Sequence, residues 1–327
     1  MKRLAISVFL LVVLFGCGSS GDKGAAGTKQ VDGNAPPTGD NGSTPSAATA
    51  TQNEVVLENP GKGETITLRL NPPPSESWTY RTNVETIQSG AESHTINTEM
   101  EQAVAVKRVQ GGAEISITIT GATMKANDAA TQDQVDEMAR MMKGIQTVAV
   151  YDARGHTEGA KSSGGAGVPA MIAAAQAEVP VGLFGVVYPS EPVAVGAEWT
   201  GKYDMEKVLQ GMARASGATA RVLKGGFHPV RYRLEEVRTI RGRKVAVISF
   251  ALRGDTEVEL TVRAMTPSGG TQSAKVLTKS SINGTGKAQV DIETGIPIRV
   301  EMEQRSTAEA QGSKTQTLMK SVMQRED

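Results

Sequence analysis

From Glu54 onward, apolar and polar residues alternate. Ile66, Leu68 and Leu70 keep a period of two, as do Trp78, Tyr80, Thr82 and Val84 after the Pro72-Pro73-Pro74 break. Ile96, Met100, Val104 and Val106 continue it, followed by Ile115, Ile117 and Ile119 beyond the Gly111-Gly112 turn. Alternation puts one side of an extended chain in a core and the other in water, so these stretches predict half-buried antiparallel strands joined by hairpins. The signal returns around Trp199 and over residues 230–237, 244–252, 256–264, 274–282, 288–292 and 296–302. Leu318 and Val322 suggest a last strand, with a short helix as the competing reading.

Helical spacing interrupts the strands. Thr131 with Gln134 reads as a capping box ahead of Val135, Met138, Met142 and Ile145, which share one face and predict a helix near 131–144. Pro169, favourable at a first helical position, opens a second near 169–178 that Pro180 ends. Asp204 caps a third candidate running to Arg214. The expected fold class is mainly β, of α+β type, with antiparallel sheets and a few helices.

The two halves resemble each other in order. Glu76-Ser77-Trp78-Thr79 matches Ala197-Glu198-Trp199-Thr200, the Gln110-Gly111 turn and its strand match Arg241-Gly242 and its strand, and the segment ending at Gly155 matches the one ending at Gly295. An internal duplication into two related β-rich lobes, 54–188 and 189–327, is therefore expected.

The first 53 residues do not alternate. Residues 17–53 are mostly Gly, Ser, Thr, Ala, Pro, Asn and Asp, a composition too poor in apolar surface to offset its ordering entropy, and read as a disordered tether. Ahead of them, Lys2 and Arg3 precede an apolar run from Leu4 to Phe15, too short for the roughly 20 residues of a membrane span. Residues 1–16 thus read as a secretory signal. Leu14, Phe15, Gly16 and Cys17 resemble the processing and acylation site of bacterial lipoproteins, and Cys17 is the only cysteine in the chain. The resemblance implies signal-peptidase recognition through Leu14, Phe15 and Gly16, lipidation of Cys17, and a membrane partner reached through its acyl chains. Gly18 stands where the familiar inner-membrane retention signal has aspartate, so the outer membrane is favoured over the inner.

Charge and composition narrow the rest. Basic and acidic residues number 35 each and aromatics are 4% of the chain, which disfavours nucleic acid as a partner. With Cys17 committed to lipid there is no second thiol for a disulfide, so the body relies on a conventional core.

No stretch carries a recognisable catalytic motif. His94, His156 and His228 lie in none, and Gly284-Thr285-Gly286-Lys287 lacks the leading glycine and the Ser or Thr of a phosphate loop and reads as a hairpin turn. Asp152, Asp291 and Glu293 fall at strand ends near turns, where a carboxylate pair would need the two lobes to face each other. Methionines 138, 141 and 142 suit helix–sheet packing, or a surface that accepts variable apolar ligands.

The expected function is that of a membrane-anchored envelope lipoprotein with a non-catalytic binding or structural role and no cofactor or metal. The alternative is a periplasmic carrier of a lipid or other apolar ligand, a half-barrel whose mouth is lined by Met138, Met142, Leu183 and Phe184. A hydrolase with an unrecognised site is a third reading.

Overall fold

Strand-to-strand pairing is continuous through the computed structural model, which describes residues 55–90, 93–163, 185–215, 218–265 and 271–326. The elements in chain order are β1 (Val56–Asn59), β2 (Ser75–Ser89), β3 (Ser93–Val109), β4 (Gly112–Ala126), α1 (Ala129–Met142), β5 (Gln146–Asp152), β6 (Thr157–Ser163), β7 (Glu198–Asp204), α2 (Met205–Ala215), β8 (Thr219–Lys224), β9 (Phe227–Ile240), β10 (Arg243–Met265), β11 (Thr271–Asp291), β12 (Pro297–Ala310) and β13 (Ser313–Glu326). The strands form one 13-stranded sheet in the order β1-β7-β9-β10-β11-β12-β13-β2-β3-β4-β5-β6, with β8 beside β10. Every named pairing is antiparallel. The fold is mainly β, as the alternation predicts.

The period of two gives the sheet two unlike faces. On the inner face Tyr80, Val104, Ile115, Trp199, Tyr232, Ile248 and Val290 are buried. Arg231, Arg233, Lys287, Glu301 and Lys320 project from the other face and are exposed.

Four things cover the inner face. Helix α1 lays Val135, Met138, Ala139 and Met142 on Val84, Ile96, Met100 and Met124, and α2 lays Leu209 and Ala213 on Val258 and Leu260. The segments 66–71 and 186–197 cover the rest, contributing Leu68, Val186, Tyr188 and Val193 to one cluster and Leu70 to another. Buried aromatic groups donate to backbone carbonyls around these coils, Trp199 Nε1 to Val187 at 2.8 Å, Tyr188 Oη to Gly295 at 2.8 Å and Tyr232 Oη to Gly185 at 3.0 Å, while Tyr80 Oη ties β2 to Pro297 at the start of β12 at 2.7 Å. Each bond satisfies a polar group that burial would otherwise leave unpaired.

Three local expectations change. Ile66, Leu68 and Leu70 alternate but make no ladder: apart from a bridge between Ile66 and Val193, the segment bonds across two turns, Leu70 N donating to Ala153 O and Asn71 N to Thr294 O. Its alternation reflects burial against the sheet, which is a different use of the same period. The cap of α1 is Asp128, whose Oδ1 accepts from Thr131 N at 2.9 Å, so the helix starts ahead of the expected box. The glycines at 284 and 286 lie inside β11, paired on both sides, and do not form a hairpin turn. Leu318 and Val322 lie in strand β13, and Asp204 caps α2 by accepting from Lys207 N at 2.9 Å. The helix expected near 169–178 falls outside the described residues.

Candidate functional site

The outer face of the second half carries a transverse groove enclosing about 750 Å³ and open to solvent. Register builds it. One wall is the cross-strand row Glu198, Arg233, Ser249, Lys287 and Glu301, each residue paired with the next on the adjoining strand. The facing wall is the row Arg231, Ala251, Thr285 and Glu303, two positions along β9 to β12, continued by Lys320 on β13. Between them the floor is the backbone of Trp199, Tyr232, Phe250, Gly286, Met302 and Ser321, whose side chains turn to the inner face or are small. Strand β1 pairs with β7 and adds Glu58 at one end, where its carboxylate accepts from Thr200 Oγ1.

Beneath the floor the aromatic residues stiffen the groove. Trp199 and Tyr232 stack with centroids 5.6 Å apart and planes 13° from parallel, and Phe250 follows Tyr232 at 6.3 Å. Burial drives the Tyr232 phenol well above its usual range, so it remains a neutral donor.

The groove has a definite charge arrangement. Glu198 is held by Arg233 at 3.1 Å, Glu301 by Arg299 at 2.7 Å, Glu303 by Arg305 at 3.1 Å, and Lys320 lies 3.5 Å from Glu85. Arg231 and Lys287, by contrast, have no ion-pair or hydrogen-bond partner among the described residues. The small side chains of Ser249, Ala251 and Thr285 separate them. The centre of the groove is therefore cationic and low-walled, and its flanks carry carboxylates.

Other titratable groups are engaged elsewhere. His94 Nδ1 lies 3.1 Å from Asp128 Oδ2 at the start of α1, and His156 Nδ1 lies 3.2 Å from Asp152 Oδ2 within the β5–β6 turn. Burial pushes the Asp152 carboxyl up, but hydrogen bonds and charge from His156 outweigh it and leave the group below the usual carboxylate range. Asp291 is buried, with Arg243 3.0 Å away, and also accepts from Glu293 N within the β11–β12 turn. The carboxylates of Asp152 and Asp291 thus each serve a turn, and Glu293 joins the second through its backbone N–H. His228 is buried against β10, its Nε2 2.9 Å from Thr256 Oγ1.

Of the residues expected to carry function, Met138 and Met142 lie buried between α1 and the sheet. Leu183 and Phe184 fall outside the described residues, as do Leu14, Phe15, Gly16 and Cys17. The groove itself was not anticipated. Its residues are the polar members of ordinary alternating strands, and only cross-strand register shows that Arg231, Lys287 and Thr285 share one depression.

No family model matches the chain, and no curated protein is similar to it in sequence. Among solved structures it is similar to the β domain of the Bordetella autotransporter BrkA, at 9% identity over 76% of this chain and 98% of that one with a TM-score of 0.22. It is also similar to Salmonella typhi OmpF in complex with daunomycin, at 7% identity over 76% and 98% of the two chains with a TM-score of 0.18. At TM-scores this low neither likeness carries an argument about function.

Proposed function

We propose that the protein is a lipid-anchored component of a bacterial cell envelope, held at the membrane through acyl chains on Cys17, whose β-rich body acts by binding and not by catalysis. The observation that carries the anchor is the sequence Leu14-Phe15-Gly16-Cys17 after a short apolar run, with the only cysteine of the chain at the acylation position. Two acyl chains or more hold a protein far more durably than a single myristoyl chain, whose binding is marginal.

The faces of the sheet support attachment to a membrane over passage through one. A lipid-spanning barrel needs an apolar outward band. Here the apolar face is covered by α1, α2 and the segments 66–71 and 186–197, and the uncovered face carries Arg81, Glu99, Glu101, Arg233, Glu301 and Lys320. The transverse groove on that charged face is the binding site of this reading, and its rows of arginine, lysine and glutamate favour a polar ligand over the apolar cargo of a carrier. The outer membrane is the favoured location.

The test is Cys17→Ala in a bacterial host. Loss of membrane retention, or accumulation of the unprocessed precursor, is expected on fractionation. Normal cleavage with unchanged membrane attachment would refute the anchor.

A further inference from the structure

We infer that the groove on the outer face takes a linear acidic glycan, one whose carboxylates are spaced by neutral, hydroxyl-bearing sugars. This rests on the reading of the body as a binding domain and names the ligand of its groove. The cations come first. Arg231 and Lys287 are exposed and without partners among the described residues, although carboxylates line the same groove. They stand two strands and two residues apart across Ala251 and Ser249, which places their Cα atoms about 12 Å from each other. That is close to the length of a disaccharide, so one chain lying along the groove meets both cations with carboxylates on alternate units.

The flanks decide between kinds of anion. Glu301 and Glu303 stand beside Lys287 and Thr285 in register, and Glu58 and Glu198 line the other end. A densely charged polymer such as polyphosphate or nucleic acid would place phosphates against these carboxylates, a like-charge contact that costs affinity. Sugar hydroxyls instead donate to carboxylates, and they accept from the Thr285 hydroxyl; the Ser249 hydroxyl, which donates to Glu235 at 2.6 Å, can accept from them. Nucleic acid would also seek exposed rings for base stacking, and the rings at this site, Trp199, Tyr232 and Phe250, are buried on the opposite face. The low centre formed by Ala251, Ser249 and Thr285 leaves room for a ring of sugar size.

The test uses the full-length chain purified from membranes in detergent, titrated with a hyaluronan oligomer, in which a uronate alternates with a neutral sugar, a neutral N-acetylglucosamine oligomer of the same length, and inorganic polyphosphate. Tenfold or greater preference for the uronate over both others is expected. Arg231→Gln with Lys287→Gln should weaken uronate binding at least tenfold, and Ala251→Trp, which fills the centre without changing charge, should abolish it. Lys279→Gln, on the same face outside the groove, should leave it unchanged, with circular dichroism confirming that each variant folds. Absence of uronate binding, equal affinity for the neutral glycan, tighter binding of polyphosphate, or insensitivity to the groove variants each overturns the inference. Membrane retention of the same preparation separates the outcomes: a chain that stays anchored yet ignores uronate refutes the ligand and leaves the anchor standing.

Discussion

Gly254 and Gly286 sit inside the two longest strands, where glycine weakens a sheet unless something must approach closely. In both places a ring does. A Cβ on Gly254 would lie 2.2 Å from His228 Cγ, and one on Gly286 would lie 2.3 Å from Phe250 Cζ and 2.4 Å from the Glu301 carbonyl oxygen. This is why the Gly284-Lys287 stretch misleads when read locally: turn and close approach both select glycine, and only the neighbouring strand distinguishes them. The ring over Gly254 also yields a pH prediction. Burial strips water from the His228 imidazole and holds its pKa below the ordinary 6.5, against the opposing influence of Asp255 and the Gly225 carbonyl. Below about pH 6.5 the unfolded chain therefore binds a proton that the folded chain refuses, and stability falls with pH across that window. Denaturant midpoints at about pH 7.5 and about pH 5.5 should show the wild type losing more stability on acidification than His228→Gln, and equal losses would contradict the assignment.

At the scale of elements, the strands were the most legible part, since alternation is a backbone property that needs no knowledge of partners. Helix α2 was readable too, because its cap and its inward residues lie within one short stretch. Asp204→Ala should remove that cap at a cost of about 1 kcal/mol, with faster amide exchange confined to α2 and unchanged exchange in α1. Helix α1 was displaced in the reading because Asp128, not Thr131, supplies the accepting oxygen. Both residue types cap helices well, and tertiary placement chose between them. Two runs of the sheet share an order of connection. The orders β2-β3-β4-β5-β6 and β7-β9-β10-β11-β12 are both consecutive runs of the sheet apart from β8, which pairs off the main path. In each run the last pair is joined by a turn whose aspartate, Asp152 or Asp291, accepts backbone N–H bonds and whose glycine, Gly155 or Gly295, has positive φ.

Across the whole molecule the two halves share one sheet. Strand β13 pairs with β2 from Gln316↔Ser89 to Glu326↔Thr79, and β1, near the start of the body, pairs with β7 of the second half. The cores interlock as well: Ile296 packs among Tyr80, Val104 and Ile115, and Val55, Leu68 and Val186 pack with Trp199 and Ile248. The body should consequently unfold in a single calorimetric transition, and residues 189–327 expressed alone should show none, having lost Leu68, Val186 and Tyr188 from their core. A folded, cooperative fragment would show the halves to be independent. The sequence by itself determined most of the strands, two of the helices and the mainly β class, because each of these is written in neighbouring residues. Tertiary structure alone decided the single sheet, the use of residues 66–71 as a cover and the position of the groove. Those depend on register between strands distant in the chain, and a shift of one residue would carry Arg231 and Lys287 to the buried face.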